Sequence, residues 1–266
     1  MSQSCDLVAW GVGMRKRMRG GGMRYLRSVF RTGNWRREVV LLGGLYVMYE
    51  LIRGVAPERK SLAFQNADRV QSIERWLHID IELWANGVLR HHQALADFCS
   101  IYYQVAHEGV AAVVLIWLWT RHRQQFAALR STLVIVSLVS LLIYWVVPLA
   151  PPRFAEAGIV DTMLVHPVLF AGMKSVTGLV NLYAAMPSVH IAWAVWCAIA
   201  FTVAGRSSRR WLVWIYPLVT AGVVLGTGNH FTLDIIVGAA LVIGTWSALA
   251  VLHPHRARLS RRLVMR

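Results

Sequence analysis

Five polar residues in an otherwise apolar chain have the types and spacing that handle phosphate. His230 and Asp234 stand four apart at the head of a long hydrophobic run, after the helix-breaking Gly226-Thr227-Gly228. On a helix, positions i and i+4 share a face, so the carboxylate would accept a hydrogen bond from one ring nitrogen and aim the other at a substrate. A histidine held this way is a candidate nucleophile or base. About forty residues earlier, Pro187-Ser188-Val189-His190 opens another apolar run. Proline and serine mark a helix start, whose first-turn amides attract an anion, and His190 beside them would protonate a leaving oxygen. Asn229 is expected to cap the last helix in the same way, so that two helix starts face one side.

Arg153 follows Pro151-Pro152 at the exit of a hydrophobic run, and guanidinium geometry matches phosphate oxygens in bidentate fashion. Lys174 is a weaker candidate for the same work, since the loop around it offers no register. Each residue has a plainer reading: a structural His-Asp pair, a capped helix with an interfacial histidine, and a snorkelling arginine. Their recurrence at one face argues for a site. Against the plain reading of Asp234, a carboxylate inside an apolar run is costly without a partner, and His230 is near. His107 and Glu108 make no zinc signature, because position 111 is alanine; they line the cavity or pack against it. Cys5, Cys99 and Cys197 have no metal-ligand spacing and imply no disulfide framework. No metal or cofactor is expected.

The elements that must position these residues are membrane helices. Of the 266 residues, 56% are hydrophobic and mean hydropathy is +0.48, which excludes an ordinary soluble domain. The net charge of +15 would suggest nucleic acid in a soluble protein, but the basic residues form short blocks between apolar runs. Positive-inside topology explains that better, and no nucleic-acid partner is expected. Residues 5–13 are too short an apolar segment, ahead of the basic block, for a secretory signal.

The expected architecture is all-α: a polytopic membrane protein of six transmembrane helices plus one or two interfacial amphipathic helices. The spans are read at Val39–Ile52, Phe98–Thr120, Thr132–Leu149, Val189–Ala204, Trp211–Leu225 and Phe231–Leu252. Between the first two, Val70, Ile73, Leu77, Ile81 and Trp84 recur at three- and four-residue steps, with Glu74 and Glu82 among the charges between them. Residues 1–37 form a basic cytoplasmic arm, 38–254 the membrane domain, and 255–266 a basic cytoplasmic tail. Of the 28 Lys and Arg, nine fall in the arm, three in 121–130, three in 206–210 and five in the tail. That bias puts both termini in the cytoplasm of a cell-membrane protein, and the loops before His190 and His230 on the extracytoplasmic face.

Taken together, these residues resemble the type 2 phosphatidic acid phosphatase superfamily, whose second motif reads Pro-Ser-Gly-His and whose third ends in His-xxx-Asp. The likeness covers about residues 60–250, with Gly238 also fitting. The inositol phosphorylceramide synthase-like branch is nearer, having a Pro-Pro like Pro151-Pro152-Arg153 and a non-glycine between serine and histidine; the polar stretch with Tyr103 and His107 is similar to it too. The resemblance implies a lipid phosphatase or phosphotransferase in which His230 forms a phosphohistidine without metal. Asp234 would orient His230, His190 would protonate the departing alcohol, and Ser188 and Arg153 would hold the phosphoryl oxygens. Two positions depart from the superfamily: Ser140–Pro152 contains no basic residue, and Val224 stands where an arginine is expected six before the histidine. Fewer cations are compatible with the inositol-transferring branch. The partner is a membrane lipid, with inositol or another alcohol as a possible acceptor. A phospholipid carrier that binds without turnover, or a scaffold with structural histidines, are the alternatives of other classes.

Overall fold

A computed structural model describes residues 34–54, 59–162 and 182–252. Most of the basic arm, the tail from residue 253, and both Lys174 and His166 lie outside them. Among the described residues the chain is helical, with one isolated β-bridge between Leu149 and Ala184 and no strand. The helices are α1 (Trp35–Gly54), α2 (Lys60–Leu77), α3 (Glu82–Arg90), α4 (Gln93–Arg121), α5 (Arg123–Val146), the single turn α6 (Pro152–Ala155), α7 (Val189–Ala204), α8 (Ile215–Gly226) and α9 (Thr232–Leu252). A 3-10 segment, Ser208–Trp214, leads into α8.

Three of these are long and apolar enough to cross a membrane: Gln93–Arg121, Arg123–Val146 and Thr232–Val251. The other three expected spans correspond to α1, α7 and α8. Glu38, Glu50 and the arginines at its start make α1 less apolar, and α7 and α8 have only 16 and 12 residues. At 1.5 Å per residue α7 reaches about 24 Å, less than a hydrocarbon core of about 30 Å.

The centre of the bundle is α7, which packs against α4, α5, α8 and α9. Ala192, Ala194, Ala198 and Ala200 are buried along it, and such small side chains let neighbouring backbones approach closely. Trp196, fully buried, fills the space between α7 and α5 and donates its indole N–H to Leu129 O at 2.8 Å. Around it Leu118, Phe126, Val136, Ile191, Val224 and Val242 complete the apolar core.

One element differs from the sequence expectation for a physical reason. Helix α5 starts at Arg123 rather than Thr132, because Arg130 is not a loop cation: it is buried and lies 2.5 Å from the equally buried Glu38 of α1. The pair fixes one end of α1, and Trp145 Nε1 donating to Ile52 O at 3.2 Å fixes the other. Helices α2 and α3 take the form expected of an amphipathic pair, with their apolar positions facing outward. Ile73, Leu77, Ile81 and Trp84 are exposed, whereas Glu74 and Glu82 are 0% and 1% exposed. A helix pair lying at the membrane surface turns its apolar side to lipid and its polar side to protein. Exposed Trp76 and Trp84 suit the headgroup level.

Candidate active site

The site forms where α7 and α9 begin, under α2, α3 and the segment from Val147 to Thr162. Gly228 makes the turn out of α8 at φ +70°, a left-handed conformation that favours glycine, and a Cβ there would meet Ile159 Cγ2 at 2.7 Å. Its carbonyl accepts the Arg153 amide at 2.9 Å, which brings the short α6 turn against the segment carrying His230.

His230 precedes the first residue of α9 and is 4% exposed. Its Nδ1 lies 2.9 Å from Ala185 O and 3.4 Å from Asp234 Oδ2. A carbonyl and a carboxylate only accept, so this environment places the proton on Nδ1 and leaves the lone pair on Nε2. That Nε2 is buried and has no hydrogen-bond partner among the described residues. Asp234, fully buried, orients the segment in two further ways: its Oδ2 accepts the Phe231 amide at 2.9 Å, and its carbonyl accepts the Ser188 amide at 3.1 Å. The second bond ties the start of α7 to the first turn of α9.

Ser188 caps α7 as its sequence implies, accepting the Ile191 amide on Oγ at 3.4 Å. That contact uses the oxygen as an acceptor, so the hydroxyl hydrogen is still available to donate. His190 sits in the first turn with its ring centroid 5.6 Å from that of His230. Tyr103 stacks on His190 at 4.1 Å and 22°, and His107 lies against it at 4.1 Å. Both come from α4, so the polar half of that helix faces protein, as groups at membrane depth must.

Arg153 is near the pair but already engaged. Its Nε is 3.1 Å from Asp161 Oδ2, its Nη1 meets Asn229 Oδ1, and its guanidinium lies 4.6 Å from the Phe154 ring centroid. A guanidinium carries five N–H donors, so two contacts do not exhaust it. Val224, in the position where the superfamily has arginine, is fully buried in the apolar core.

The cap of α9 is not Asn229. That side chain turns back to Thr227 Oγ1 at 2.8 Å and to Arg153. The amides of the first turn are instead taken by two buried carboxylates from the surface helices. Glu82 Oε1 accepts the Thr232 amide at 2.6 Å and its hydroxyl at 2.7 Å, and Glu74 Oε1 accepts the Leu233 amide at 2.6 Å. Acidic groups at a helix N-terminus complement its positive end. Burial pushes the Glu74 carboxyl up to about 8, with the Leu233 amide working against that shift and the neighbouring Glu82 adding to it. Glu156 is also raised, first by burial. Of the two carboxylates that take the α9 amides, Glu82 had a sequence signal: Glu82, Asn86 and Leu89 recur at i, i+4 and i+7, and all three are buried. Asn86 uses that burial to hold the loop, donating to Val160 O and Gly226 O and accepting from Val160 N.

The sequence pattern of the PAP2 superfamily matches residues 68–248, which include α3 to α8, most of α2 and α9, and every site residue named above. A phosphoinositol dihydroceramide synthase of Bacteroides thetaiotaomicron is 25% identical over 174 residues, 59% of this chain and 56% of that protein. The chain thus spans a little over half the length of this curated relative, whose name supports the inositol phosphorylceramide synthase-like branch. No solved structure matches. With two facing histidines, the His-xxx-Asp pair and the Pro-Ser-x-His helix start all inside the matched region, this integral membrane chain belongs to the PAP2 superfamily of phosphatases and phosphotransferases.

Proposed function

We propose that the chain cleaves a phosphoester or phosphodiester of a membrane lipid through a phosphohistidine on His230, at the extracytoplasmic face of a six-span bundle with both termini in the cytoplasm. The observation that carries this reading is the state of His230: Nδ1 faces two acceptors, Nε2 is buried with no hydrogen-bond partner among the described residues, and the His190 ring centroid is 5.6 Å away.

In the proposed reaction, His230 Nε2 attacks phosphorus and the bond to the lipid alcohol breaks. His190 gives a proton to the departing oxygen, and Asp234 with Ala185 O stabilises the cationic ring. In the second half His190 takes a proton from the acceptor, whose oxygen attacks phosphorus and releases His230. The Ser188 hydroxyl, the first-turn amides of α7 and the unengaged Arg153 donors hold the phosphoryl oxygens. Lys174, outside the described residues, is a further candidate for that role. The nucleophile is a side chain, so the scheme calls on no metal-bound water.

The acceptor is water in a hydrolase and an alcohol in a headgroup transferase. Val224 in place of a cation, and the name of the Bacteroides relative, favour transfer to or from an inositol-type alcohol. Product analysis with a headgroup-labelled phospholipid in vesicles separates them: released phosphate supports hydrolysis, and a new phosphodiester formed when inositol or a lipid alcohol is supplied supports transfer. Absence of both, with intact binding of phospholipid that survives His230→Ala, supports a carrier and overturns the catalytic reading.

A further inference from the structure

Helix α1 is fastened at both ends, by Glu38–Arg130 and by Ile52–Trp145, and leaves a gap against the bundle in between. The gap is a cavity of about 320 Å³ between α1, α4, α5 and α7, with Leu45, Ala112, Leu115 and Leu138 in its wall. The lining is apolar almost throughout, and its charged group is Glu108, whose Oε1 accepts the Tyr46 hydroxyl at 2.8 Å. Water needs two to four polar partners to occupy such a space, and most of this cavity offers none.

One end of the cavity lies next to the candidate active site, with His107 and Trp193 between the two. Trp193, in its wall, is one turn along α7 from His190, and His107 lies 5.7 Å from Trp193 and 4.1 Å from His190 by ring centroids. Glu108 marks the same end, 3.6 Å from His107 Nε2. From Glu108 to Leu115 the wall follows α4 away from the histidines for about 10 Å, at 1.5 Å per residue. The polar groups therefore lie toward the reacting centre and the apolar ones run inward from it. That gradient is the one an amphiphile presents when its phosphate sits between His190 and His230.

We propose that this cavity holds a hydrocarbon chain of the lipid substrate, so that α1 is the outer wall of a tail-binding site. The assignment rests on the lipid-phosphoester reading above. Burial of each methylene contributes about 0.8 kcal/mol, so a chain seated there discriminates long tails from short ones.

The test uses the full chain in phosphatidylcholine vesicles with a phosphatidic acid probe bearing a diazirine midway along one acyl chain. After irradiation, label is expected on residues of α1, α4 and α5 that line the cavity, in at least fivefold excess over lipid-facing Ile236 and Ile243 of α9. Ala112→Trp and Leu45→Trp, which fill the space from two different helices, should each reduce that label at least fivefold. Both variants should also raise KM for a 16-carbon substrate about tenfold while leaving an 8-carbon one within twofold. Even labelling of all lipid-facing helices, or label unchanged in both variants, means that only bulk lipid touches this face and overturns the proposal. Cavity labelling without turnover of any lipid would leave the tail site standing and remove the catalytic reading instead.

Discussion

Gly238 is where α9 crosses the start of α7, and adding a single methyl group there should disable the site from a distance. A Cβ on Gly238 would lie 2.5 Å from the Ser188 carbonyl oxygen and 3.4 Å from its carbon and nitrogen. Ordinary van der Waals contact begins near 3.4 Å, so α7 and α9 must separate by about 0.9 Å. The oxygen is backbone, already bonded to the Ala192 amide at 2.9 Å, and has no rotamer to escape through. The shift stretches the Ser188 N to Asp234 O bond and widens the gap between His190 and His230. A misplacement of about 1 Å costs on the order of 100-fold in rate, and overpacking costs about 1–3 kcal/mol of stability. Gly238→Ala should therefore lower kcat on a labelled phospholipid by about two orders of magnitude, with a modest fall in Tm. Gly244→Ala is the control on the same helix: a Cβ there meets nothing within 4 Å, so kcat should hold and stability should not fall. Wild-type kcat in a folded Gly238→Ala protein would mean that the close approach of α7 and α9 does not set the spacing of the two histidines.

Two further predictions concern the carboxylates that cap α9. Glu82→Ala removes the acceptor of both the Thr232 amide and its hydroxyl, and leaving a buried donor unmet costs about 1–3 kcal/mol. Denaturation should show a loss of that order with reduced turnover, and a smaller loss in Glu82→Gln, which retains an acceptor oxygen; an unchanged Glu82→Ala contradicts the assignment. Glu74 is raised in the folded protein from 4.5 to about 8, so the folded state holds a proton that the unfolded state has released. Its contribution is full below about pH 4.5, declines as pH rises toward 8, and is flat above that. The difference in Tm between wild type and Glu74→Gln should fall across that window, and a difference that rises would contradict the burial argument.

What the sequence made legible was local. Ser188 caps α7 because proline and serine before an apolar run specify a helix start within a few residues. His230 and Asp234 meet because four residues along a turn bring them together, although His230 lies just ahead of α9 itself. The parts that were not legible depend on residues far apart in the chain. Asn229 had the composition of a cap, but Glu82 and Glu74, 150 and 159 residues from the amides they accept, hold those donors instead. Arg130 belonged by its charge to a loop, yet Glu38, 92 positions away, draws it into the bundle and lengthens α5. Arg153 was read as open to phosphate, and Asp161 and Asn229 now share it. Ala185 O could not be anticipated as the nearest partner of His230 Nδ1, because a backbone carbonyl has no signature in sequence. The amphipathic pair α2 and α3 was legible in the three- and four-residue recurrence of its apolar positions, but not that Glu74 and Glu82 on the opposite side reach the start of α9.

The phosphohistidine step is tested by trapping the covalent intermediate. The purified protein is mixed with a phospholipid carrying radioactive phosphorus, quenched in alkali within the first turnover, digested, and the labelled peptide sequenced. Acid-labile, alkali-stable label is expected on His230, absent from His230→Ala and accumulating in His190→Ala when a lipid with a good leaving group lets the first step proceed. Continued turnover with label on another residue, or substantial activity in His230→Ala, would contradict it.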